Sequence, residues 1–388
     1  MAERLPEAEW TTRADLAALM AALGPDNARY VGGAVRDTLL GQAVKDVDVA
    51  TPLRPQAVIA KLDAAGIRNV PTGVEHGTVT AVLPGGPVEI TTLRRDVSTD
   101  GRRATVAFAD DWAEDAARRD FTINALYAHP TTRDISDWFG GLADLAERRV
   151  RFIGDAHQRI REDHLRILRY FRFQARFGRT PADADAEQAC ADLASTLKGL
   201  SRERIGMETM NLLALPDPAA TVARMAELGV LAQFLPEGSP EALADLVTQE
   251  RRQGVGPDPL RRLAALLPAD PSLAEQVASR FRLSAAQKKR LVAAAGREAA
   301  DEPNPRALAY RLGHKEALDR LLLRGAPVKD LDEWQIPEFP LKGGEIVARG
   351  IKAGPLVAKT LRAIEGRWVS EGFPDRARVL EMLDEALT

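Results

Sequence analysis

Runs that read as strands are confined to the stretch before Val150, and beyond it the chain is patterned for helices alone. That switch sets the fold class as α+β, with a strand-bearing first part and a long helical remainder. Its 388 residues leave room for two or three domains.

In the first part, residues 12–23 read as a short amphipathic helix. Residues 29–31 read as a strand, Gly32-Gly33 as a turn, and 34–40 as a helix stopped by Gly41. A strand at 47–50 and a helix at 54–65 follow. Residues 78–83 and 88–93 make a hairpin around Pro84-Gly85-Gly86-Pro87. Segment 96–112, which contains Asp100-Gly101-Arg102-Arg103, reads as a loop. In the second part, helices break at Pro216-Asp217-Pro218, Pro236-Glu237-Gly238, 254–259 and Pro303-Asn304-Pro305. No repeat of fixed period supports a regular solenoid.

Lys45-Asp46-Val47-Asp48-Val49-Ala50 carries the first chemical signal. Alternate side chains of a strand share a face, so Asp46 and Asp48 point the same way while Val47 and Val49 enter the core. Neighbouring anions repel unless a cation stands between them. A hard divalent cation such as Mg2+ takes oxygen ligands of this kind. A bare Asp-x-Asp is more often an exposed edge strand with its acids outward. Here, though, Gly32-Gly33-Ala34-Val35-Arg36-Asp37 lies just upstream as a glycine turn opening a helix. Backbone N–H groups at such a turn can meet phosphate, with Arg36 one helical turn in. The combination predicts a nucleoside triphosphate site. Glu89 is the candidate third carboxylate; the competing reading is a surface glutamate on a half-buried strand.

The second signal is a run of arginines. Residues 159–179 hold seven arginines and two acids, Glu162 and Asp163. Asp163, Arg166, Arg169 and Arg172 recur at every third position, and at about 100° per residue they form a ramp around half a helix. Ile167, Leu168, Phe171 and Ala175 take the opposite arc. A solvated face laced with salt bridges is the usual reading of a charged helix. The excess of one sign argues instead for a phosphate-bearing partner. A carboxylate accepts hydrogen bonds and a guanidinium only donates them. Cytosine and adenine each offer an exocyclic amine beside an acceptor ring nitrogen, and guanine and uracil present the opposite polarity. One Asp beside one Arg, as in Asp163 and Arg166, can therefore read C and A with no nucleic-acid template.

Composition bounds the partners. Net charge is −3, so basic residues that meet nucleic acid must be concentrated locally. Aromatic residues make up 5% of the chain, too few for a broad stacking platform on single-stranded RNA. The single cysteine, Cys190, excludes an internal disulfide and a Cys-rich zinc site and fits a cytoplasmic protein. Residues 1–10 are acidic and lack an apolar run, which predicts no signal peptide, and no apolar stretch is long enough to predict a membrane span.

Taken together, these residues resemble the class II tRNA nucleotidyltransferases, the CCA-adding enzymes, and their relatives the bacterial poly(A) polymerases. The resemblance is carried by residues 31–37 and Asp46-Val47-Asp48, then by His76-Gly77-Thr78-Val79-Thr80 and Glu89-Ile90-Thr91-Thr92-Leu93-Arg94. Residues 118–126, from Arg118-Arg119-Asp120-Phe121-Thr122-Ile123-Asn124 onward, continue it, and Glu162-Asp163 through Arg172 complete it in order. It covers residues 28–180 closely and the rest loosely, through 350–355. It implies a polymerase-β-like nucleotidyltransferase head at 1–150 and a helical neck at 151–215 holding the nucleotide-templating helix. A helical body and tail at 216–388 would bind tRNA.

By motif position, Asp46 and Asp48 would bind the metals, Gly33 and Arg36 would contact the triphosphate, and Arg119 would also hold the nucleotide. Asn124 would position the sugar, Asp163 and Arg166 would select the base, and Arg169 and Arg172 would support them or contact phosphate. For Arg119 and Asn124 the plainer reading is capping and packing. The implied reaction is attack of the RNA 3′-hydroxyl on the α-phosphate of CTP or ATP, assisted by two Mg2+ ions, with release of pyrophosphate. The segment 96–112 matches in position a loop associated in the family with the switch from C to A addition. A poly(A) polymerase, a CC- or A-adding enzyme, and a non-catalytic RNA-binding protein on the same scaffold are the competing readings. The sequence leaves the oligomeric state open.

Overall fold

A computed structural model describes residues 4–100 and 103–387. Met1–Glu3 of the acidic N-terminal stretch, Gly101 and Arg102 of the segment 96–112, and Thr388 lie outside the described residues. The chain divides into two compact units, residues 1–208 with 221–236, and residues 209–220 with 237–388.

The first unit opens with α1 (Ala14–Leu23), preceded by a 3-10 turn at Glu9–Thr12. Then come β1 (Arg29–Val31), α2 (Gly33–Leu39), β2 (Asp48–Thr51), α3 (Pro55–Ala64), β3 (Asn69–Gly73), β4 (Thr78–Leu83) and β5 (Gly86–Thr92). A second hairpin, β6 (Arg94–Asp100) and β7 (Arg103–Phe108), precedes α4 (Trp112–Ala117), β8 (Leu126–Ala128), β9 (Ile135–Asp137) and α5 (Gly141–Glu147). The helices α6 (Ala156–Glu162), α7 (Arg166–Phe177), α8 (Ala184–Asp192), α9 (Arg202–Leu213) and α10 (Ala219–Glu227) follow, α9 from residue 209 onward and the first two residues of α10 being counted with the second unit.

Seven strands form one sheet in the order β3-β4-β5-β2-β1-β8-β9. β2 sits at its centre, antiparallel to β1 and parallel to β5. Alternation explains its burial: Val47 and Val49 are buried while Asp46 and Asp48 are exposed. Val31, Ala50, Leu93, Ala125, Tyr127 and Ile153 form the core beside it.

Two expectations about local structure are corrected. The strand predicted at 47–50 begins at Asp48, so Asp46 precedes it, though the alternation of burial holds across both. The segment 96–112 is not a loop: β6 and β7 pair antiparallel, from Arg94 opposite Phe108 to Asp100 opposite Arg103. The β-branched residues Val97, Thr99, Thr105 and Val106 favour extended backbone, and that preference outweighs the polar residues around the turn.

Beyond β9 no strand occurs among the described residues. α7 buries Ile167, Leu168, Tyr170, Phe171, Phe173 and Phe177. Phe121 packs on both Phe152 and Phe173, with ring centroids 5.0 Å apart in each case. This cluster fastens α7 to the segment that carries Arg118 through Asn124.

The second unit is helical: α11 (Pro240–Arg252), α12 (Pro259–Leu266), α13 (Pro271–Arg280), α14 (Ala285–Ala295), α15 (Pro305–Leu312), α16 (His314–Leu323), α17 (Gly343–Ala348), α18 (Pro355–Ser370) and α19 (Arg376–Leu387). Five of these start with proline, whose missing N–H is no loss in a first turn. The breaks read at 254–259 and 303–305 end on the first residues of α12 and α15, and those at 216–218 and 236–238 lie just ahead of α10 and α11. Arg261 and Arg262 are buried here and share Glu250, at 2.7 and 2.9 Å. Arg290 is held by Asp319 at 2.6 Å. Among the described residues no helix is long and apolar enough to cross a membrane.

Candidate active site

The site grows from the centre of the sheet. Asp48 on β2 stands directly opposite Glu89 on β5 in parallel register. Residues so paired project on the same face with side chains near one another. Asp46 lies two residues before Asp48 on the same exposed side. Partial loss of its water shell and the facing Glu89 push the Asp48 carboxyl up; the Arg119 guanidinium pulls it down and Asp46 pushes it up again. Three carboxylates and one arginine thus share a local field, and the negative charge is in excess.

That donor set fits a hard divalent cation: all its ligands are oxygens, and bringing in positive charge relieves the repulsion. Among the described residues no group of three or more His, Cys, Asp or Glu side chains forms a ready-made metal cage. Mg2+ is commonly held by only one or two carboxylates, with waters and substrate phosphates completing its shell.

The glycine turn borders these acids. Gly32 caps α2 with φ +70° and ψ −123°, a backbone open to glycine and strained for other residues. A Cβ there would lie 3.5 Å from an Arg119 guanidinium nitrogen, so the turn and Arg119 are close neighbours. Arg119 is fixed by its own partners. Its Nε donates to the Tyr127 hydroxyl at 2.9 Å and a terminal nitrogen donates to Asp115 at 3.3 Å. Asp115 is 1% exposed and also accepts from Arg118, from the Tyr127 hydroxyl and from the Arg94 N–H at the root of β6. Burial alone would raise its carboxyl; Arg118, Arg119 and Tyr127 outweigh that and hold it below the usual range.

Arg36 is turned inward. Its guanidinium donates to Asp37 at 2.7 Å and to the Asn124 side-chain oxygen at 2.5 Å, and lies 4.2 Å from the Phe177 ring centroid. Asn124 in turn donates to Asp120 at 3.0 Å. Asp120 accepts twice from Arg169, at 2.9 and 2.5 Å. Arg36 and Asn124 are thus links in a buried polar chain that runs from the glycine turn to α7.

The arginine ramp is corrected in two respects. Asp163 is not on the helix of the three arginines: α6 ends at Glu162, Asp163 is extended, and α7 begins at Arg166. Nor are the arginines uncompensated. Arg166 is 2.6 Å from Glu162, Arg169 meets Asp120, Arg172 meets Glu208 at 2.6 Å, and Arg176 meets Asp37 at 3.2 Å. Most of these acids come from distant segments, so counting charges within 159–179 missed them. Asp163 and Arg166 do not pair with each other. Asp163 accepts from Arg204 at 2.8 Å, and Arg166 donates to Glu162 and to the carbonyls of Arg159 and Arg118.

Asp120 sits within a motif already visible in the sequence. Asp115, Tyr127, Arg204 and Glu208 carried no sequence signal, because their importance lies in what they touch.

Residues 28–151 match the family described as the poly A polymerase head domain, and residues 183–241 match one described as a probable RNA and SrmB-binding site of polymerase A. The chain is 35% identical over 367 residues to CCA tRNA nucleotidyltransferase 1, mitochondrial, of Mus musculus, covering 89% of this chain and 83% of that one. The crystal structure of the Bacillus stearothermophilus CCA-adding enzyme in complex with CTP superposes with a TM-score of 0.73 at 27% identity, over 96% of this chain and 97% of that one. A Thermotoga maritima CCA-adding enzyme complexed with tRNA shares the fold, with a TM-score of 0.71 at 22% identity, over 96% of this chain and 95% of that one.

Proposed function

The chain belongs to the CCA tRNA nucleotidyltransferases, the CCA-adding enzymes, and from that membership we propose that it adds C and A from CTP and ATP to the 3′ end of tRNA, releasing pyrophosphate. The observation that carries the reading is Asp48 in register with Glu89 on adjacent parallel strands, within the field of Arg119 and beside the Gly32 turn. Asp46 and Asp48 would hold Mg2+, with Glu89 as the third carboxylate. When bound, the ion would lower the pKa of the RNA 3′-hydroxyl and offset phosphate charge.

The remaining roles belong to the chain's own side chains. Arg119, pre-set by Tyr127 and Asp115, would hold the triphosphate, and the backbone at Gly33 would approach it closely. Arg36 and Asn124 would brace the nucleotide from behind that turn, with Asn124 nearest the sugar. Asp163 would accept from the exocyclic amine of C or A, and Arg166 would donate to the adjacent ring nitrogen. Arg169 and Arg172 would support that pair or meet phosphate.

The division of labour follows chain order: a catalytic head at 1–150, a base-selecting neck at 151–215, and a tRNA-binding body and tail at 216–388. We extend the proposal to the cytoplasm as its compartment, supported by the chain having a single cysteine, Cys190, and so no partner for an internal disulfide. One observation favours a second reading, a poly(A) polymerase: the matching head family carries that description.

The deciding experiment gives purified protein tRNA lacking its 3′ end, with CTP and ATP separately and together. Incorporation of C followed by a terminal A supports the proposal. C alone marks a CC-adding enzyme, A only after a pre-existing CC an A-adding enzyme, and long A tails without C the polymerase.

A further inference from the structure

In the second unit the buried guanidiniums of Arg261, Arg262 and Arg290 each reach a carboxylate, as charges removed from water require. Arg297 does not. It follows the end of α14 and is half-buried, and its Nη2 donates to the Leu267 carbonyl at 2.8 Å. Its Nη1 is buried with no hydrogen-bond partner. Burial pulls the pKa of this guanidinium down, and the neighbouring cation Arg324 pulls it further. Among the described residues no carboxylate pairs with it. Arg297 lines a cavity of about 340 Å³ whose other walls are α11, Ala265 of α12 and the end of α16. Leu246, Leu322 and Leu323 make its apolar side. Arg324 lines it too, meeting a single Glu302 oxygen through Nε at 2.9 Å and Nη2 at 2.7 Å. Gln249 of α11 lies beside Gly325, where a Cβ would stand 3.6 Å from the Gln249 amide nitrogen. Asp245, the acid in the lining, is exposed, so water screens its charge.

We infer that this cavity is an anion site for a phosphate group, held between Arg297 and Arg324 with the Gln249 amide as a further donor, and with Arg297 turning its unpartnered Nη1 toward the ligand. A cation partly removed from water beside a second cation is costly. A phosphate entering the cavity lowers both costs: it gives Nη1 the acceptor it lacks and offsets the repulsion between the arginines. Hydrogen bonds from a guanidinium to an oxyanion are of the strong, charge-assisted kind. The donors come from three separate elements: the segment after α14, the end of α16, and α11. Donors that converge from several directions suit a tetrahedral oxyanion better than a carboxylate, whose oxygens lie in one plane. The volume is at the small end of the range for small-molecule pockets, enough for a phosphate with a small substituent against the leucines. This chemistry has two sources, a free phosphate compound and a backbone phosphate of RNA.

The test follows thermal unfolding in inorganic phosphate up to about 20 mM, against potassium chloride of equal ionic strength and with a chelator present. It compares wild type, Arg297→Met, Arg297→Lys and Asp48→Ala. Phosphate stabilises folded proteins generally by exclusion from their surface, so the reading is the difference between variants. Phosphate is expected to raise the wild-type midpoint more than that of Arg297→Met. Calorimetric titration is expected to show binding weakened about tenfold or more in Arg297→Met, the effect of losing a charge-assisted hydrogen bond. Arg297→Lys is expected to keep part of the shift, because it keeps the charge without the fork. Asp48→Ala is expected to keep all of it, because Asp48 lies in the other unit. Equal shifts in wild type and Arg297→Met overturn the inference, as does a shift lost in Asp48→Ala. Should Arg297→Met fail to fold, Arg324→Gln removes the second guanidinium from the same cavity, and an undiminished shift there is equally fatal. The KM for tRNA lacking its 3′ end separates the sources: raised in Arg297→Met for a backbone phosphate, unchanged for a free phosphate compound.

Discussion

Asp120→Asn isolates the buried polar chain that joins the glycine turn to α7. The side chain of Asp120 is 10% exposed and accepts four hydrogen bonds: two from Arg169, one from Asn124 and one from the Phe121 N–H. An asparagine of the same shape keeps one acceptor oxygen and turns a donor toward either Arg169 or the Asn124–Phe121 pair. No cavity is made, so the cost is electrostatic. Breaking a buried ion pair costs about 3–5 kcal/mol, and charge-assisted hydrogen bonds about 1.5–3 each. Arg169 is one-third exposed and keeps Glu208 within 3.8 Å, which recovers part of the loss. The expected destabilisation is about 3 kcal/mol at pH 7, or roughly 6–12 °C in the melting of a unit of this size.

Acidification gives the sharper check. Burial would raise the Asp120 carboxyl, but Arg169 and the donors of Asn124 and Phe121 hold it below the ordinary range. A folded pKa below the unfolded value of about 3.9 gives stability that is fully present above that value. It is lost as pH falls through the folded pKa. Wild type therefore loses this contribution on acidification, and the Asn variant has none to lose. Urea unfolding at pH 7 and at steps down to about pH 3 should show the gap between the two proteins closing. A gap below about 1 kcal/mol at pH 7, or one that is constant with pH, would refute the reasoning.

Three further outcomes are expected. Asp48→Ala should abolish nucleotide addition while leaving the thermal midpoint unchanged or slightly raised, because a repelled charge is removed; near-normal turnover would defeat the metal assignment. Gly32→Ala should cost about 1–3 kcal/mol through its strained backbone and raise the KM for CTP as the turn shifts to relieve that strain, which steady-state kinetics and unfolding read separately; an unchanged KM would detach the turn from the nucleotide. Glu250→Gln, in the second unit, should cost about 3 kcal/mol in urea unfolding because two buried arginines lose a shared charge; a loss under about 1 kcal/mol would mean that the surrounding carbonyls suffice.

The parts of the site visible in the sequence are those set by local periodicity. Asp46 and Asp48 face outward because Val47 and Val49 are buried, a pattern that three or four consecutive residues express in full. Ile167, Leu168 and Phe171 of α7 were legible for the same reason, but Ala175 is only half-buried and Tyr170, Phe173 and Phe177 complete the buried arc; in the second unit the breaks at 254–259 and 303–305 end on the prolines that open α12 and α15. Glu89 needed one more fact, the parallel register that sets it opposite Asp48, and so the sequence left it between two readings. The β6–β7 hairpin was missed because polar residues at its turn obscured a short β-branched alternation.

The arginine ramp was misread for a deeper reason: charge balance on a helix face is a tertiary property. Asp37, Asp120 and Glu208 reach α7 from other elements, and only contact reveals them. The correction changes what these arginines can do. A guanidinium has five N–H donors, and Arg169 spends two of them on Asp120. What remains is a cation already neutralised and already fixed in orientation. Such groups contribute little long-range attraction for RNA, since the paired carboxylates cancel the field. They supply donors at set positions at small entropic cost, because the ordering was achieved on folding. On the proposed roles, α7 would discriminate among bound nucleotides rather than recruit nucleic acid. The salt dependence of catalysis should therefore come mainly from tRNA binding elsewhere, with the choice among CTP, ATP, UTP and GTP nearly insensitive to ionic strength.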